Sequence, residues 1–186
     1  MFTTHKIQGA GGVGGDDYWV ALAGTSETEF GYGVAVDSSD NIIACGITRN
    51  ATTAFYEALV VKYDPSGSIL WCKNLGSTSE ETRFSGVTVD SSDNIIAVGF
   101  TKADGAGLYD ALIAKYNSSG TLQWDRTLGG SDYDTFENVA IDSFDNIIAV
   151  GYARSDGAGS YDFLIAKYNS SGTLQWDKTL GGTGTD

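Results

Sequence analysis

The chain has 186 residues, and its 11 basic and 24 acidic side chains leave a net charge of −13. This length can bury a core without disulfides, and 41% hydrophobic residues exclude a disordered acidic tail. The strong acidity excludes neither a protein nor a glycan partner, but it disfavours nucleic acid and anionic membranes, since phosphate binding needs a basic surface. No apolar run approaches the roughly 18 residues of a transmembrane helix.

An internal repeat organises the chain. The segment Asp37–Ala44 returns as Asp90–Ala97 and again as Asp142–Ala149, at steps of 53 and 52 residues. Trp19, Trp71, Trp124 and Trp176 follow similar steps. In chain order we predict an N-terminal segment, 1–29, with a Gly-rich stretch and the last strand of an incomplete blade, followed by three blade repeats over 30–83, 84–135 and 136–186.

Each unit contains four short β runs separated by turn signals. In the second unit the runs are Ser85–Asp90, Asn94–Thr101, Tyr109–Asn117 and Thr121–Leu128. The second and third runs are continuously apolar, which is typical of strands covered on both faces. Four-stranded sheets that repeat about every 50 residues indicate a β-propeller. The predicted fold class is therefore all-β, a β-propeller of four-stranded antiparallel blades, with about three and a half blades in this chain.

The turns and loops of a unit lie at opposite ends of its blade. Asp90–Asn94 and Asn117–Gly120 are predicted to be tight hairpin turns, with Asn94 and Gly120 in the left-handed conformation. The other two connections, between the second and third runs and between successive units, are longer and vary between units. Because variable loops on a rigid scaffold are where binding usually resides, we place the candidate site there.

The loop end carries one basic residue per unit at equivalent positions, with acidic residues close by in sequence. We interpret them as ion pairs across the loop face, and recognition of a charged or sugar ligand is the alternative. The candidate ligand-binding residues are Arg49, Glu80, Lys102, Asp104, Asp132, Asp134, Arg154 and Asp156.

Other repeated residues favour structural roles. The Asp pair of each first turn, such as Asp90 and Asp93, offers oxygen ligands for calcium, but its spacing matches no EF-hand loop. We therefore predict that these Asp residues cap their own turns and that the protein carries no cofactor. The repeated Trp residues are predicted to form a packing layer between blades. Cys45 stands where other units have Val, so a buried hydrophobic role is expected.

No catalytic residue is assigned. The single histidine, His5, lies outside the repeats, so no His is available there to activate a Ser or Cys nucleophile. The chain is accordingly predicted not to be an enzyme. The alternative is a carboxylate-based glycan hydrolase or lyase that uses Glu80, Asp132 or Asp134.

The repeat resembles the bacterial β-propeller repeats known as SBBP repeats. The resemblance lies in Val89–Gly99, in Tyr109–Trp124 with its NSSG turn, and in Leu128–Gly130, and it recurs three times over about 30–186. It implies a non-enzymatic structural or ligand-binding module, found in bacterial surface or secreted proteins and in phage structural proteins. We therefore expect an extracellular or virion-associated location, with proteins or glycans as partners.

The number of blades raises one more expectation. Propellers have four to eight blades, and this chain supplies three complete ones. The chain is then a fragment of a longer propeller, a homo-oligomer or part of a larger assembly that completes the ring, or an open partial ring stabilised by a partner. An open ring alone would expose apolar blade faces, which favours completion by other blades.

Overall fold

The computed structural model describes residues 27–76, 80–102, 107–154 and 161–182, and the predicted strand at 18–23 lies outside them. These residues form twelve strands, and none belongs to a helix long and apolar enough to cross a membrane. The all-β prediction is confirmed. The strands are β1 (Glu29–Val36), β2 (Ile42–Arg49), β3 (Tyr56–Tyr63), β4 (Ile69–Leu75), β5 (Thr82–Val89), β6 (Ile95–Thr101), β7 (Asp110–Tyr116), β8 (Leu122–Leu128), β9 (Asp134–Ile141), β10 (Ile147–Ala153), β11 (Asp162–Tyr168) and β12 (Leu174–Leu180).

The strands pair as antiparallel four-stranded sheets in which spatial order follows chain order. Sheet I contains β1–β4, sheet II contains β5–β8 and sheet III contains β9–β12. The four runs predicted for the second unit correspond to β5–β8, although β5 begins at Thr82, before the predicted Ser85. Each sheet is therefore a meander of the kind that the turn pattern predicted.

Successive sheets pack face to face. The strand β5 contacts the first three strands of sheet I, and β9 contacts the first three strands of sheet II. One buried cluster, which includes Ile43 and Ile95, lies between sheets I and II, and another, which includes Ile96 and Phe136, lies between sheets II and III. Neighbouring residues of one strand therefore pack into opposite interfaces. The runs are continuously apolar because both faces of the strand are buried.

Close backbone packing accounts for the repeated glycine of the second strand. A Cβ on Gly99 would overlap the carbonyl oxygen of Arg83, and a Cβ on Gly46 or Gly151 would meet the preceding strand in the same way. The register between β5 and β6 also shifts here, between Phe84 and Gly86. Only glycine allows this approach.

The predicted turns are present, with one correction. Gly120 is left-handed with φ of 80°, as predicted, but the left-handed residue of the first turn is Asp93, with φ of 59°, and not Asn94. Asp93 closes the turn by donating its N–H to the carbonyl oxygen of Asp90 at 3.0 Å. Asn94 instead donates its backbone and side-chain N–H groups to the Asp90 carboxylate. The prediction for Asn94 was wrong because this side chain is used as a donor within the turn.

A repeated pair of hydrogen bonds joins the sheets at the turn end. The carboxylate of Asp93 in sheet II accepts hydrogen bonds from the N–H and the hydroxyl of Ser38 in sheet I, at 2.9 and 2.6 Å. Asp145 accepts the same bonds from Ser91, at 3.0 and 2.6 Å. The first Asp of each turn caps its own turn, as predicted. The second Asp, which was predicted to do likewise, instead links sheets II and III to the sheet before.

A lysine of the third strand makes a second link. In sheet I the Nζ atom of Lys62 lies 2.7 Å from the carboxylate of Asp37 and 3.3 Å from the carbonyl oxygen of Ser118 in sheet II. Lys115 repeats both contacts between sheets II and III. The charge is buried but paired, so its desolvation is offset by the partner carboxylate and carbonyl.

The tryptophans of the fourth strands complete the interface. Trp71 donates its Nε1–H to a carbonyl oxygen of the second turn of sheet II at 3.2 Å, and a Cβ on Gly120 would come within 2.8 Å of its ring. Trp124 packs against Gly172 in the same way. The predicted packing layer is confirmed for these two residues, whereas Trp176 of sheet III is 41% exposed.

Candidate functional site

In the described part of each sheet, a basic residue at the loop end forms an ion pair. These pairs are partly exposed, so each contributes only about 0–1 kcal/mol to stability and mainly holds the loops in position. The partner of Arg49 is an acid that the sequence did not single out. The pairs are Arg49–Glu27 at 2.9 Å, Lys102–Glu80 at 3.4 Å and Arg154–Asp132 at 3.4 Å.

The last described candidate acid, Asp134, is buried at the start of β9. Its carboxylate accepts hydrogen bonds from the backbone N–H of Gly130 at 2.9 Å and from that of Arg154 at 3.0 Å. It therefore fixes the backbone of two connections at once. The remaining candidates, Asp104 and Asp156, lie outside the described residues.

A group that the sequence did not reveal lies on the first strands and on β6, and we call it the Arg83 cluster: Tyr32, Arg83, Phe100 and Glu137. The guanidinium of Arg83 lies 4.7 Å from the ring centroid of Tyr32 and 5.3 Å from that of Phe100. It also forms an ion pair with Glu137 at 3.0 Å. One side chain of sheet II thus contacts sheets I and III, and cation–π contacts of this kind contribute about 0.5–1 kcal/mol at exposed sites.

Aromatic rings extend this cluster towards the loops. Phe100 packs edge-on against Tyr109 with centroids 4.8 Å apart, and Tyr109 lies 5.2 Å from Tyr133. The hydroxyl of Tyr109 donates to Glu81 at 3.2 Å. Burial, together with the charge of Glu81, raises the pKa of Tyr109, so its hydroxyl remains a proton donor at neutral pH.

The Arg83 cluster escaped the sequence reasoning because its charged members are not repeated. Arg83 stands where the other units have Phe30 and Thr135, and Glu137 stands where they have Tyr32 and Ser85. A search for repeated residues passes over such positions. The available signal was a pair of opposite charges, with Arg83 on one first strand and Glu137 two positions further along the next. The other units have uncharged residues at both positions.

The turn end and the cysteines show no catalytic arrangement in the described ranges. Burial raises the pKa of the Cys45 thiol to about 12 and that of Cys72 to about 11, so both are protonated and unreactive at neutral pH. Within residues 27–76, 80–102, 107–154 and 161–182, no group of three or more His, Cys, Asp or Glu side chains is placed to hold a metal ion.

A match to a known family decides what the stack of sheets is. The family model described as "Domain of unknown function (DUF5122) beta-propeller" matches residues 145–174, which run from the first turn of sheet III to the start of β12. The chain is built of β-propeller repeats. Sheets I, II and III are therefore propeller blades, and the Arg83 cluster joins all three of them.

Two curated relatives match a larger part of the chain. It is 25% identical over 231 aligned residues to an uncharacterized WD repeat-containing protein, L264, of Acanthamoeba polyphaga mimivirus, which covers 89% of this chain and 17% of that protein. It is 24% identical over 143 residues to the regulatory protein FlaEY of Caulobacter vibrioides, which covers 70% of this chain and 14% of that protein. The propeller chain thus spans less than a fifth of either relative. Neither match distinguishes SBBP repeats from other propeller repeats.

Proposed function

We propose that this chain is a non-enzymatic propeller module that recognises a glycan through the loop end of its blades. The observation that carries the proposal is the Arg83 cluster, in which a guanidinium, a carboxylate and aromatic rings from three blades meet beside the loops. Aromatic faces stack on apolar faces of a sugar, and paired charged groups hydrogen-bond its hydroxyls. A location on a bacterial surface or in a virion belongs to the same proposal and is supported by the SBBP resemblance.

The exposure of the cluster suits this role. Tyr32 is about half exposed, and both Arg83 and Glu137 retain partial exposure although they form an ion pair. A ligand that replaces water around them meets groups that are already held in place by contacts between blades. Preorganised groups of this kind lose little conformational entropy on binding.

A protein ligand is the second candidate, and one observation favours it. The first relative described above is a WD repeat-containing protein, and WD repeats are propeller repeats. The exposed aromatic side chains and Arg83 are residue types enriched at protein interfaces. A protein partner would therefore use the same surface.

The acids of the hydrolase or lyase alternative are engaged in holding loops. Glu80 and Asp132 are ion-paired with basic residues of their own blades. Asp134 is buried and accepts two backbone hydrogen bonds. None of these contacts selects one acid as a catalytic group.

Binding to a glycan array by the full chain tests the proposal, with Tyr32→Ala as the variant. We expect Tyr32→Ala to weaken binding about two- to tenfold, because one aromatic contact contributes roughly 0.5–1.5 kcal/mol. Phe144→Ser is the matched control, since this exposed ring lies at the turn end and the other units have Ser at its position. The control should bind as the wild type does.

Three outcomes would contradict the proposal. Equal loss of binding in both variants would show that the loop end is not the site. Binding to a protein in a pull-down with no glycan bound would replace the glycan by a protein partner. Hydrolysis of the glycan panel, abolished by a single change such as Asp132→Asn, would establish the enzyme alternative.

A further inference from the structure

The stack of described sheets has two outer faces, one on sheet I and one on sheet III. Apolar side chains on these faces are exposed, whereas their equivalents between the sheets are buried. Phe163 on sheet III is 44% exposed, and it lies on the face that corresponds to the covered side of sheet II, where Val98 and Ile113 are fully buried. On sheet I, Val34 is 68% exposed, whereas its equivalents Val87 and Val139 are 8% and 9% exposed. These faces match the two sides of one blade interface.

Each internal interface contains a buried phenylalanine and a buried alanine. Phe84 of β5 and Ala58 of β3 belong to one buried cluster between sheets I and II. Phe136 of β9 and Ala111 of β7 belong to the cluster between sheets II and III. All four side chains are fully buried. The large residue always comes from the first strand and the small one from the third strand of the preceding sheet.

On the outer faces the large residue lies on the third strand and a glycine lies on the first. Phe163 occupies in β11 the position of Ala58 and Ala111, and Gly31 occupies in β1 the position of Phe84 and Phe136. A Cβ placed on Gly31 would meet no atom within 4 Å. If sheet I packed on sheet III as successive sheets pack, Phe163 would meet the open position at Gly31, and the pair would differ from an internal one by a single methyl group.

Polar groups at the turn end match in the same way. Ser143 corresponds to Ser38 and Ser91, which donate to an Asp of the next blade, and Asp40 corresponds to the accepting Asp. Among the described residues neither Ser143 nor Asp40 has such a partner. The donor lies on sheet III and the acceptor on sheet I, as the internal interfaces require.

Among the described residues, the lysine of sheet III also lacks the second contact that its equivalents make. Lys167 forms the ion pair with Asp142 at 2.8 Å, as its equivalents do with theirs. Its side chain is 27% exposed, against 6% for Lys62 and 10% for Lys115, which reach a carbonyl oxygen of the following sheet. The backbone carbonyl at Pro65 of sheet I occupies the equivalent turn position.

We propose that a second copy of the chain docks its sheet I against sheet III, that the reciprocal contact forms as well, and that the described blades of the two copies together make a six-bladed ring. Six blades lie within the range of four to eight found in closed propellers. A twofold axis makes both contacts identical, so each favourable pair is formed twice. The inference rests on the propeller assembly of the proposed function but not on its glycan site.

Native mass and sedimentation of the full chain, with three variants, test this interface. The wild type should be a dimer. Phe163→Ala should raise the dissociation constant at least about 100-fold, because removing a buried Phe leaves a cavity. Gly31→Phe should also prevent dimerisation, because two phenylalanines would then compete for one volume. The double variant recreates the internal Phe and Ala arrangement, so it should restore the dimer to within about tenfold of the wild type.

The controls separate interface effects from folding and from glycan binding. Alanine is native at the position of Phe163 in sheets I and II, so the variant monomer should keep its circular dichroism spectrum. Phe144→Ser should leave the dimer unchanged. A wild type that is monomeric at all concentrations, a different oligomer, or a double variant no better than the single ones would overturn the inference. Loss of the dimer in Phe163→Ala with glycan binding intact would leave the two proposals independent.

Discussion

The third strands of sheets II and III have almost the same sequence and very different surroundings. The strands β7 and β11 differ at a single position, Ala111 against Phe163. Every residue of β7 is buried, whereas in β11 only alternate residues are, because no described blade covers the second face. A continuously apolar strand is buried on both faces only when a blade packs on each side of it. With one neighbouring blade, only one of its faces is buried.

The difference has an energetic consequence. Fully burying a Val or Ile side chain contributes roughly 1.5–3 kcal/mol relative to leaving it exposed. Val98 and Ile113 of sheet II receive that contribution, and their equivalents Val150 and Ile165 of sheet III receive only part of it. In repeat proteins stability is approximately a sum over units and their interfaces, so sheet III should be the first of the two to unfold.

The largest expected effect comes from the phenylalanines on the two sides of sheet III. Phe136→Ala should lower the free energy of unfolding by about 3–5 kcal/mol, because the side chain is fully buried between sheets II and III. Phe163→Ala should lower it by less than about 1 kcal/mol in the monomer, where this ring is half exposed. Urea denaturation of dilute protein measures both. Equal losses in the two variants would mean that a blade already covers sheet III.

The lysines give a second, smaller contrast. Lys115→Met should destabilise by about 3 kcal/mol, because it leaves the buried carboxylate of Asp90 without its ion pair. Lys167→Met should cost less than about 1 kcal/mol, because the pair with Asp142 is more exposed to solvent. The same denaturation experiment provides the measurement. A larger loss of unfolding free energy for Lys167→Met than for Lys115→Met would show that burial does not strengthen the Lys115–Asp90 pair.

Much of this fold was predictable because local signals repeat. The steps of 53 and 52 residues, the turn residues and the apolar runs together predicted four-stranded antiparallel blades, and the strands β5–β8 follow the predicted runs closely. The error at Asn94 concerns one residue within a correctly predicted turn. Both Asp93 and Asn94 tolerate the left-handed conformation, so residue type alone did not distinguish them.

The contacts between blades were not predictable from one repeat considered alone. The second Asp of the turn was expected to act locally, but Asp93 and Asp145 reach the preceding blade, and this distance is set by how the sheets stack. The Arg83 cluster depends on the same stacking, because its members come from three blades. The repeat identifies the residues that the blades share. The Arg83 cluster lies between blades, and its charged residues differ from one unit to the next.

The smallest expected effect is the response of the turn carboxylates to acid, and it sharpens the comparison of the two sheets. Burial opposes ionisation of Asp37, yet hydrogen bonds from Lys62 and Asn41 outweigh it and lower its pKa from 3.8 to about 2. In sheet III the bond from Lys167 is the largest influence and burial opposes it less, so the pKa of Asp142 is lowered further.

The sign of the pH dependence follows from these directions. A carboxyl group with a lowered pKa in the folded state adds stability above the pKa of the unfolded chain, near 4, and loses it as the pH falls towards the folded value. From pH 7 to pH 4 the loss for Asp37 should therefore be below about 1 kcal/mol. Carbon-detected NMR titration should find Asp142 ionised to a lower pH than Asp37. A second copy that covers sheet III should bury Asp142 and bring its pKa closer to that of Asp37. In the monomer, a pKa of Asp142 above that of Asp37 would contradict burial as the cause of the difference.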